Sequence, residues 1–194
     1  EARAFLESTN SNKRELLVDE LLDSDEYAEH WADVYMDELF GNDPKVRRQT
    51  GLVRDWLAQE LAADRPYDEL VDELVTAEGT HHENPAVLYV AAHNKREKLV
   101  GPTNATASSL LGVQIGCAQC HDHPYDDYTK EDFWALSAFY ARTRTKIDKG
   151  DGGRTFVVTD KRRGETRIKE EGSERDKVVE PSFLGRKVVI EKGE

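Results

Sequence analysis

The sequence lacks any apolar run that approaches the roughly 20 residues needed to cross a bilayer as a helix. Nothing at its start resembles an export signal, because the chain opens directly on helix-like sequence, Glu1-Ala-Arg-Ala-Phe-Leu6. We therefore expect no membrane span in this chain, and we expect any export signal to lie upstream of it. Charged residues make up 34% and hydrophobic residues 38% of the 194 positions, a balance that favours a folded, polar protein over a disordered one.

Positive charge is scarce in most of the chain, whose net charge is −12. The segment from Arg142 onward holds 15 basic and 11 acidic residues, which leaves 12 basic and 28 acidic residues in positions 1–141. A field of that sign repels phosphate backbones, so we predict no nucleic-acid partner. A redox partner protein could dock on such an acidic face, although a solvated surface is the simpler explanation.

Cysteine is also scarce, since the chain holds only Cys117 and Cys120, both in one C-x-x-C-H run that ends at His121. This run is the minimal signature for covalent attachment of a c-type haem. Thiols three positions apart on a helical turn project to the same side and can add to the two vinyl groups of one porphyrin. The histidine that follows is then placed to ligate iron as the proximal ligand.

Other chemistry remains open for the same residues. A zinc site would use Cys117 and Cys120 with His121 or His123, although four ligands within seven residues can hardly wrap a tetrahedron. A redox-active dithiol would need a strand-then-helix context, which this region lacks. The remaining alternatives are that Cys117 and Cys120 form a structural disulfide or stay as inert thiols.

If haem is bound, the sixth iron position decides the function. A His or Met ligand there suits electron transfer, whereas an open position permits peroxidase-like chemistry. We prefer His93 as the distal ligand, because it ends an apolar helix, Leu88-Tyr-Val-Ala-Ala-His93, close in sequence to the motif. His123 lies two residues from the proximal ligand and cannot easily reach the opposite face of the same haem.

Hydrophobic periodicity predicts a mainly α, multi-helix domain over residues 1–141. Ser24 resembles an N-cap, Gly41 a helix end, and Thr129 with Asp132 a capping box. We expect the apolar stripes of these helices to form the core. The stripes include Leu16, Leu17, Val18, Leu21, Leu22, Trp31 and Trp56.

The character of the sequence changes beyond Arg142. Short β-prone segments at 155–159, 166–169 and 186–191 are separated by turns rich in glycine and charge. They predict a small antiparallel β extension over 142–194, or the start of a following region.

A longer pattern surrounds the cysteine motif. The run Leu111-Gly-Val-Gln-Ile-Gly-Cys-Ala-Gln-Cys-His-Asp-His-Pro124, followed by Asp132-Phe-Trp-Ala-Leu-Ser-Ala-Phe-Tyr140, resembles the cytochrome-c-like domain family named from planctomycete bacteria. Tyr27-Ala-Glu-His-Trp31 and Pro181-Ser-Phe-Leu-Gly185 are similar to that family as well. The resemblance implies c-type haem held by Cys117, Cys120 and His121. It also implies that the chain is located in the periplasm or cell envelope, where such haem is attached. It further implies that the chain is part of a larger protein with further domains.

His123 departs from the pattern of an ordinary class I cytochrome c, which does not need a second histidine here. We expect it to serve as a second metal ligand or in hydrogen bonding. The resulting interpretation is a haem c electron-transfer or redox module of a larger exported bacterial protein. One alternative is a zinc-stabilised structural or binding module without redox activity. The other is a peroxidase-like haem enzyme with an open distal site, so whether the chain is an enzyme stays open.

Overall fold

The structure, a computed structural model, describes residues 2–41, 50–96, 98–150, 153–169, 176–184, 186 and 187. These ranges contain eight α-helices: α1 (Ala2–Glu7), α2 (Lys13–Leu22), α3 (Asp25–Phe40), α4 (Gly51–Ala62), α5 (Tyr67–Thr76), α6 (Val87–Arg96), α7 (Val100–Ala105) and α8 (Lys130–Ser137). A π-helical turn (Thr106–Leu110) continues α7, and 3-10 turns cover Gly116–Gln119 and Ala138–Tyr140. None of the helices in these ranges has both the length and the apolar character that a bilayer crossing requires.

The described strands are short and all their pairings are antiparallel. They are β1 (Gly79–Thr80), β2 (Thr143–Gly150), β3 (Gly153–Asp160), β4 (Thr166–Lys169), β5 (Asp176–Val179), β6 (Ser182–Phe183) and β7 (Arg186–Lys187). One sheet has the order β1-β3-β2, and β4-β5 and β6-β7 form two-stranded ribbons. The predicted mainly α fold with a small antiparallel β extension is confirmed. Of the predicted segment 186–191, residues 188–191 lie outside the described residues.

Two compact units make up the chain, Glu1–Leu70 and Val71–Glu194. In the first unit, α3 packs against α4. The guanidinium of Arg54 on α4 donates two hydrogen bonds to the carboxylate of Asp33 on α3, at 2.9 and 3.2 Å. This planar two-point pairing fixes the orientation of the helices. The expected domain boundary after residue 141 stays a prediction.

Ser24, Gly41 and the pair Thr129 and Asp132 act at helix ends as the sequence predicts, whereas Asn12 before α2 makes no side-chain capping hydrogen bond. The Ser24 hydroxyl accepts a hydrogen bond from the backbone N–H of Tyr27 and begins α3, and Gly41 ends that helix at a φ of 66°. Thr129 and Asp132 form a reciprocal capping box at the start of α8. The two N-caps, Ser24 and Thr129, satisfy N–H groups that have no partner within the helix, and each contributes about 1 kcal/mol to stability.

The expectation that the apolar stripes form core is wrong for α2. None of its residues is buried, and Leu16, Val18, Leu21 and Leu22 are all exposed. Trp31 on α3 is 40% exposed, whereas Trp56 on α4 is buried. Helical spacing shows that side chains share a face, but it does not show whether another element covers that face.

The second unit has a hydrophobic cluster beneath the cysteine motif. Its buried members are Val100, Ala107, Ile115, Ala118, Phe133 and Leu136. They come from α7, the π-helical turn, the 3-10 turn with the preceding Ile115, and α8, so these four elements share one core. The core thereby fixes the motif against α8.

Candidate functional site

The cysteine motif begins with the 3-10 turn Gly116–Gln119. Ala118 is completely buried in the cluster described above, and its N–H donates to the carbonyl of Ile115 at 2.9 Å. Cys117 and Cys120 are exposed free thiols. Cys117 lies within this turn and Cys120 directly follows it, so the two exposed thiols flank a turn that is anchored by the buried Ala118.

Both ends of this turn are held by contacts to helices. At the start, a Cβ on Gly116 would lie 3.3 Å from the side-chain oxygen of Asn104, so a larger residue would press on α7. At the end, the indole N–H of Trp134 on α8 donates to the Gln119 carbonyl at 3.1 Å. The turn therefore lies close to α7 at Gly116 and is bound to α8 at Gln119.

His121 is exposed, and its Nδ1 lies 2.8 Å from the backbone carbonyl oxygen of Asp122. A carbonyl can only accept, so Nδ1 is the donor and carries the proton. In the neutral ring, this leaves the lone pair on Nε2. Histidines that bind metals usually donate their second ring nitrogen in this way, which fixes the ring orientation and the tautomer. The His121 ring therefore has the tautomer that an iron ligand needs.

His123 has a different environment, because its side chain is only 7% exposed. Its Nδ1 accepts backbone hydrogen bonds from Asp126 at 3.0 Å and Tyr125 at 3.3 Å. The backbone N–H of His123 donates to the carbonyl of Tyr128 at 2.7 Å, and the His123 ring lies edge-on to the Tyr128 ring. These contacts make His123 the internal hydrogen-bonding centre of the loop that follows the motif.

Asp122 connects this loop to α8. Its Oδ1 accepts a hydrogen bond from the backbone N–H of Lys130 at 2.9 Å, at the first residue of the helix. A carboxylate at this position also interacts favourably with the positive end of the helix dipole. The chain is thus tied to α8 on both sides of His121, at Gln119 through Trp134 and at Asp122 through Lys130.

His93 lies near the end of α6, half-buried, with its ring edge-on to the buried ring of Tyr89 at a centroid distance of 5.1 Å. Its backbone carbonyl is covered by Gly101 of α7, where a Cβ would come within 2.2 Å of the oxygen. Leu99, between the two helices, has a φ of 64°, and the N–H of Val100 bonds to the Lys98 carbonyl at 2.7 Å. This strained γ-turn reverses the chain so that α7 can approach α6 closely.

The structure thus brings Cys117, Cys120, His121 and His123 together on one turn and the loop after it. His93 belongs to the same compact unit, on a separate helix. The donor set fits a c-type haem, since two accessible thiols and one imidazole with an available nitrogen are what attachment requires. In the part of the chain that the structure describes, no three side chains of His, Cys, Asp or Glu lie close enough to hold a metal ion.

The sequence of segment 79–85, Gly-Thr-His-His-Glu-Asn-Pro, predicts a loop with a solvated histidine pair, and the structure differs from this prediction. Gly79 and Thr80 form β1 by pairing with Val158 and Val157 of β3. His81 is consequently only 6% exposed, and its Nδ1 accepts from the N–H of Phe156 at 3.1 Å. Burial, followed by the charge of the adjacent His82, lowers the pKa of His81 below its ordinary value.

Three supporting contacts of the site were not predictable from local sequence. They are the Asp122 bond to Lys130, the Trp134 bond to Gln119, and the approach of Gly101 to His93. Each joins residues eight to fifteen positions apart. The one available signal was the glycine itself, since glycine often marks a close approach of two backbone segments.

Comparison with curated proteins finds no match, and comparison with solved structures finds none either. A family model matches residues 1–145, about three-quarters of the chain, and includes every element that surrounds the cysteine motif up to the first residues of β2. The chain therefore belongs to the PSCyt2 family, described as a protein of unknown function (DUF1549), a planctomycete cytochrome-c-like domain family.

Proposed function

We propose that this chain is a c-type haem module that transfers electrons within a larger exported protein. Cys117 and Cys120 would hold the haem covalently, and His121 would ligate its iron through Nε2. When bound, the haem supplies a one-electron couple between ferric and ferrous iron. The family name and the exposed C-x-x-C-H turn both support this proposal.

The single observation that carries the proposal is the bond between His121 Nδ1 and the Asp122 carbonyl, at 2.8 Å. It selects the tautomer with a free Nε2 on an exposed ring beside two exposed thiols. The exposed His121 differs in this from His123, whose Nδ1 accepts two backbone hydrogen bonds within the loop. The contrast between these two neighbouring histidines supports an external ligand for His121.

Attachment needs no oxidant or reductant. Each thiol would add across one vinyl C=C bond, so that the sulfur bonds to one carbon and the thiol proton ends on the other. The exposure of both thiols leaves room for this addition outside the packed core. Because maturation of this kind takes place in the envelope of bacteria, the proposal also includes a periplasmic or cell-envelope location.

The alternatives gain no specific support from the described residues. A zinc module would need three or four converging ligands, and His123, one of the two expected histidines, directs its Nδ1 to backbone N–H groups. A second metal at His123 through that nitrogen would also break two loop hydrogen bonds. We therefore assign His123 a hydrogen-bonding role within this proposal.

The proposal is tested by producing the chain with c-type haem maturation machinery and recording oxidised and reduced absorbance spectra. We expect a haem spectrum with sharp α and β bands on reduction, reversible over several redox cycles. The variant His121→Ala should lose these bands, whereas His30→Ala, a matched change at an exposed helix position, should keep them. A haem-free product, or spectra unchanged by His121→Ala, would overturn the proposal.

His93 is proposed as the distal ligand, and the same preparation tests it. If His93 ligates the iron, the ferric protein is low-spin, and His93→Ala converts it to a high-spin form. His82→Ala is the matched control, because it removes another histidine of the same unit. A high-spin wild-type protein that turns over peroxide would instead favour the open-site enzyme and discard His93.

A further inference from the structure

A cleft in the C-terminal part of the chain suggests a second site. This part has a positive net charge, whereas residues 1–141 have a negative one. The cleft lies beside the 3-10 turn Ala138–Tyr140, between the β4–β5 ribbon and the segment that joins β3 to β4. Two adjoining cavities of about 380 and 560 Å³ share Arg142, Gly164, Glu165 and Glu180 in their walls. Their sizes fall within the usual range for small-molecule sites.

One half of this cleft is rich in arginine. Arg142, Arg162, Arg163 and Arg167 line it together with Glu165 and Glu180. Arg167 is paired with Glu165 at 2.7 Å. Among the described residues, no carboxylate lies within ion-pair distance of Arg142, Arg162 or Arg163. Three guanidinium groups therefore remain available for an anion, and guanidinium pairs well with carboxylate and phosphate oxygens.

The other half has an apolar wall beside the carboxylates of Asp160, Glu165 and Glu180. Phe139, Val178 and Pro181 line it, and the first two expose about two-fifths of their surface. The wall also includes Thr166, which is 2% exposed and whose Oγ1 has no hydrogen-bond partner among the described residues. A buried hydroxyl without a partner is costly, and a polar ligand group nearby would offer it one.

The junction between the halves is fixed by a close backbone contact. A Cβ on Gly164 would lie 2.2 Å from the carbonyl oxygen of Ala141, so only glycine allows the two segments to touch. The N–H of Lys161 also donates to the carbonyl of Arg142 at 3.0 Å. These two contacts hold Arg142, which directly precedes β2, against the segment that carries Arg162 and Arg163. The fold therefore brings the three arginines to the wall of one cleft.

We propose that this cleft binds a small amphipathic anion, a carboxylate or phosphate joined to an apolar body. The anionic group would contact Arg142, Arg162 and Arg163, and the apolar body would lie against Phe139 and Val178. The charge distribution agrees with this, because the segment from residue 142 onward carries an excess of four positive charges in a chain of net charge −12. The proposal does not depend on haem, since none of these residues belongs to the cysteine motif.

Isothermal titration with phenyl phosphate, inorganic phosphate and phenol tests the site on the whole chain. We expect phenyl phosphate to bind saturably, more tightly than inorganic phosphate, and phenol not to bind. Arg163→Gln should weaken phenyl phosphate binding by roughly tenfold, since a charge-assisted hydrogen bond is lost. Arg154→Gln, an equal charge change at an exposed position of β3, should leave it unchanged.

A second variant tests the apolar half independently of the arginines. Val178→Ser should weaken phenyl phosphate and leave inorganic phosphate unchanged, because it alters only the apolar wall. Circular dichroism on each variant checks that it is folded before binding is compared. Absence of phenyl phosphate binding, or equal losses in Arg163→Gln and Arg154→Gln, would overturn the site. Equal affinities for phenyl phosphate and inorganic phosphate would overturn its amphipathic character.

Discussion

The Nδ1 atom of His123 accepts a hydrogen bond from the backbone N–H of Asp126 at 3.0 Å, inside the loop that follows the C-x-x-C-H turn. A second bond from Tyr125 reaches the same atom at 3.3 Å. His123 therefore shapes the loop that directly follows His121. This explains why a chain can use two histidines here although a single haem needs only one of them.

Replacing His123 should destabilise the loop most when the new side chain cannot accept the backbone hydrogen bonds that Nδ1 accepts. His123→Phe keeps a ring but removes the acceptor, and we expect a loss of about 1–3 kcal/mol in the free energy of unfolding. His123→Asn keeps an acceptor near the position of Nδ1 and should lose less. Urea unfolding of both variants measures the difference. Equal stabilities of the two variants and the wild type would contradict the assigned role.

Asp122 should stabilise α8 through its side-chain oxygen. Asp122→Ala removes the bond to Lys130, and we expect a loss of about 0.5–2 kcal/mol, as for other helix caps. Asp122→Asn should retain most of this stability because its amide oxygen can still accept. The control is Asp127→Ala, which removes the same negative charge at an exposed position and should alter the free energy of unfolding little. If both alanine variants had the same effect, charge rather than the cap would be responsible.

The approach of α7 to α6 requires glycine at position 101. Gly101→Ala places a Cβ 2.2 Å from the His93 carbonyl, so the helices must separate, at a cost of about 1–3 kcal/mol or more. The control is Gly51→Ala at the start of α4, where a Cβ meets no atom within 4 Å. That change should leave stability unchanged or raise it by up to about 1 kcal/mol. Thermal unfolding compares the two, and similar melting temperatures would refute the close contact.

Stability should fall in mild acid because of His81. Its pKa is lowered in the folded state by burial, so below about pH 6.5 the unfolded chain binds a proton that the folded chain resists. This contribution is complete above pH 6.5 and is lost as pH decreases towards the lowered value. His81→Asn should reduce the pH dependence of urea midpoints in this range, whereas His30→Asn at an exposed position should not. An unaltered profile in His81→Asn would show that other groups are responsible.

The features that the sequence predicted well are local ones. Ser24 and Thr129 each act on backbone groups within three residues, so their capping roles follow from the chain near them. The C-x-x-C-H spacing is local too, and the structure leaves both cysteines exposed, Cys117 within a 3-10 turn and Cys120 directly after it. The roles of Cys117, Cys120, His121 and His93 as haem ligands stay predictions.

The features that could not be predicted depend on distant partners. β1 exists only because Gly79 pairs with Val158, so the sequence around Gly79 indicates no more than a loop. The burial of His81 follows from that pairing and was missed for the same reason. In α2, by contrast, the apolar spacing is regular but its side chains stay exposed, because periodicity cannot report what covers a face.

Covalent attachment of haem at Cys117 and Cys120 is the central claim, and intact mass under denaturing conditions tests it most directly. Wild-type chain produced with c-type maturation machinery should gain the mass of one haem that survives acid and organic extraction. Each single Cys→Ser change should weaken attachment, and the double change Cys117→Ser/Cys120→Ser should abolish it. A wild-type chain that keeps its unmodified mass under conditions that mature a control cytochrome c would contradict the account.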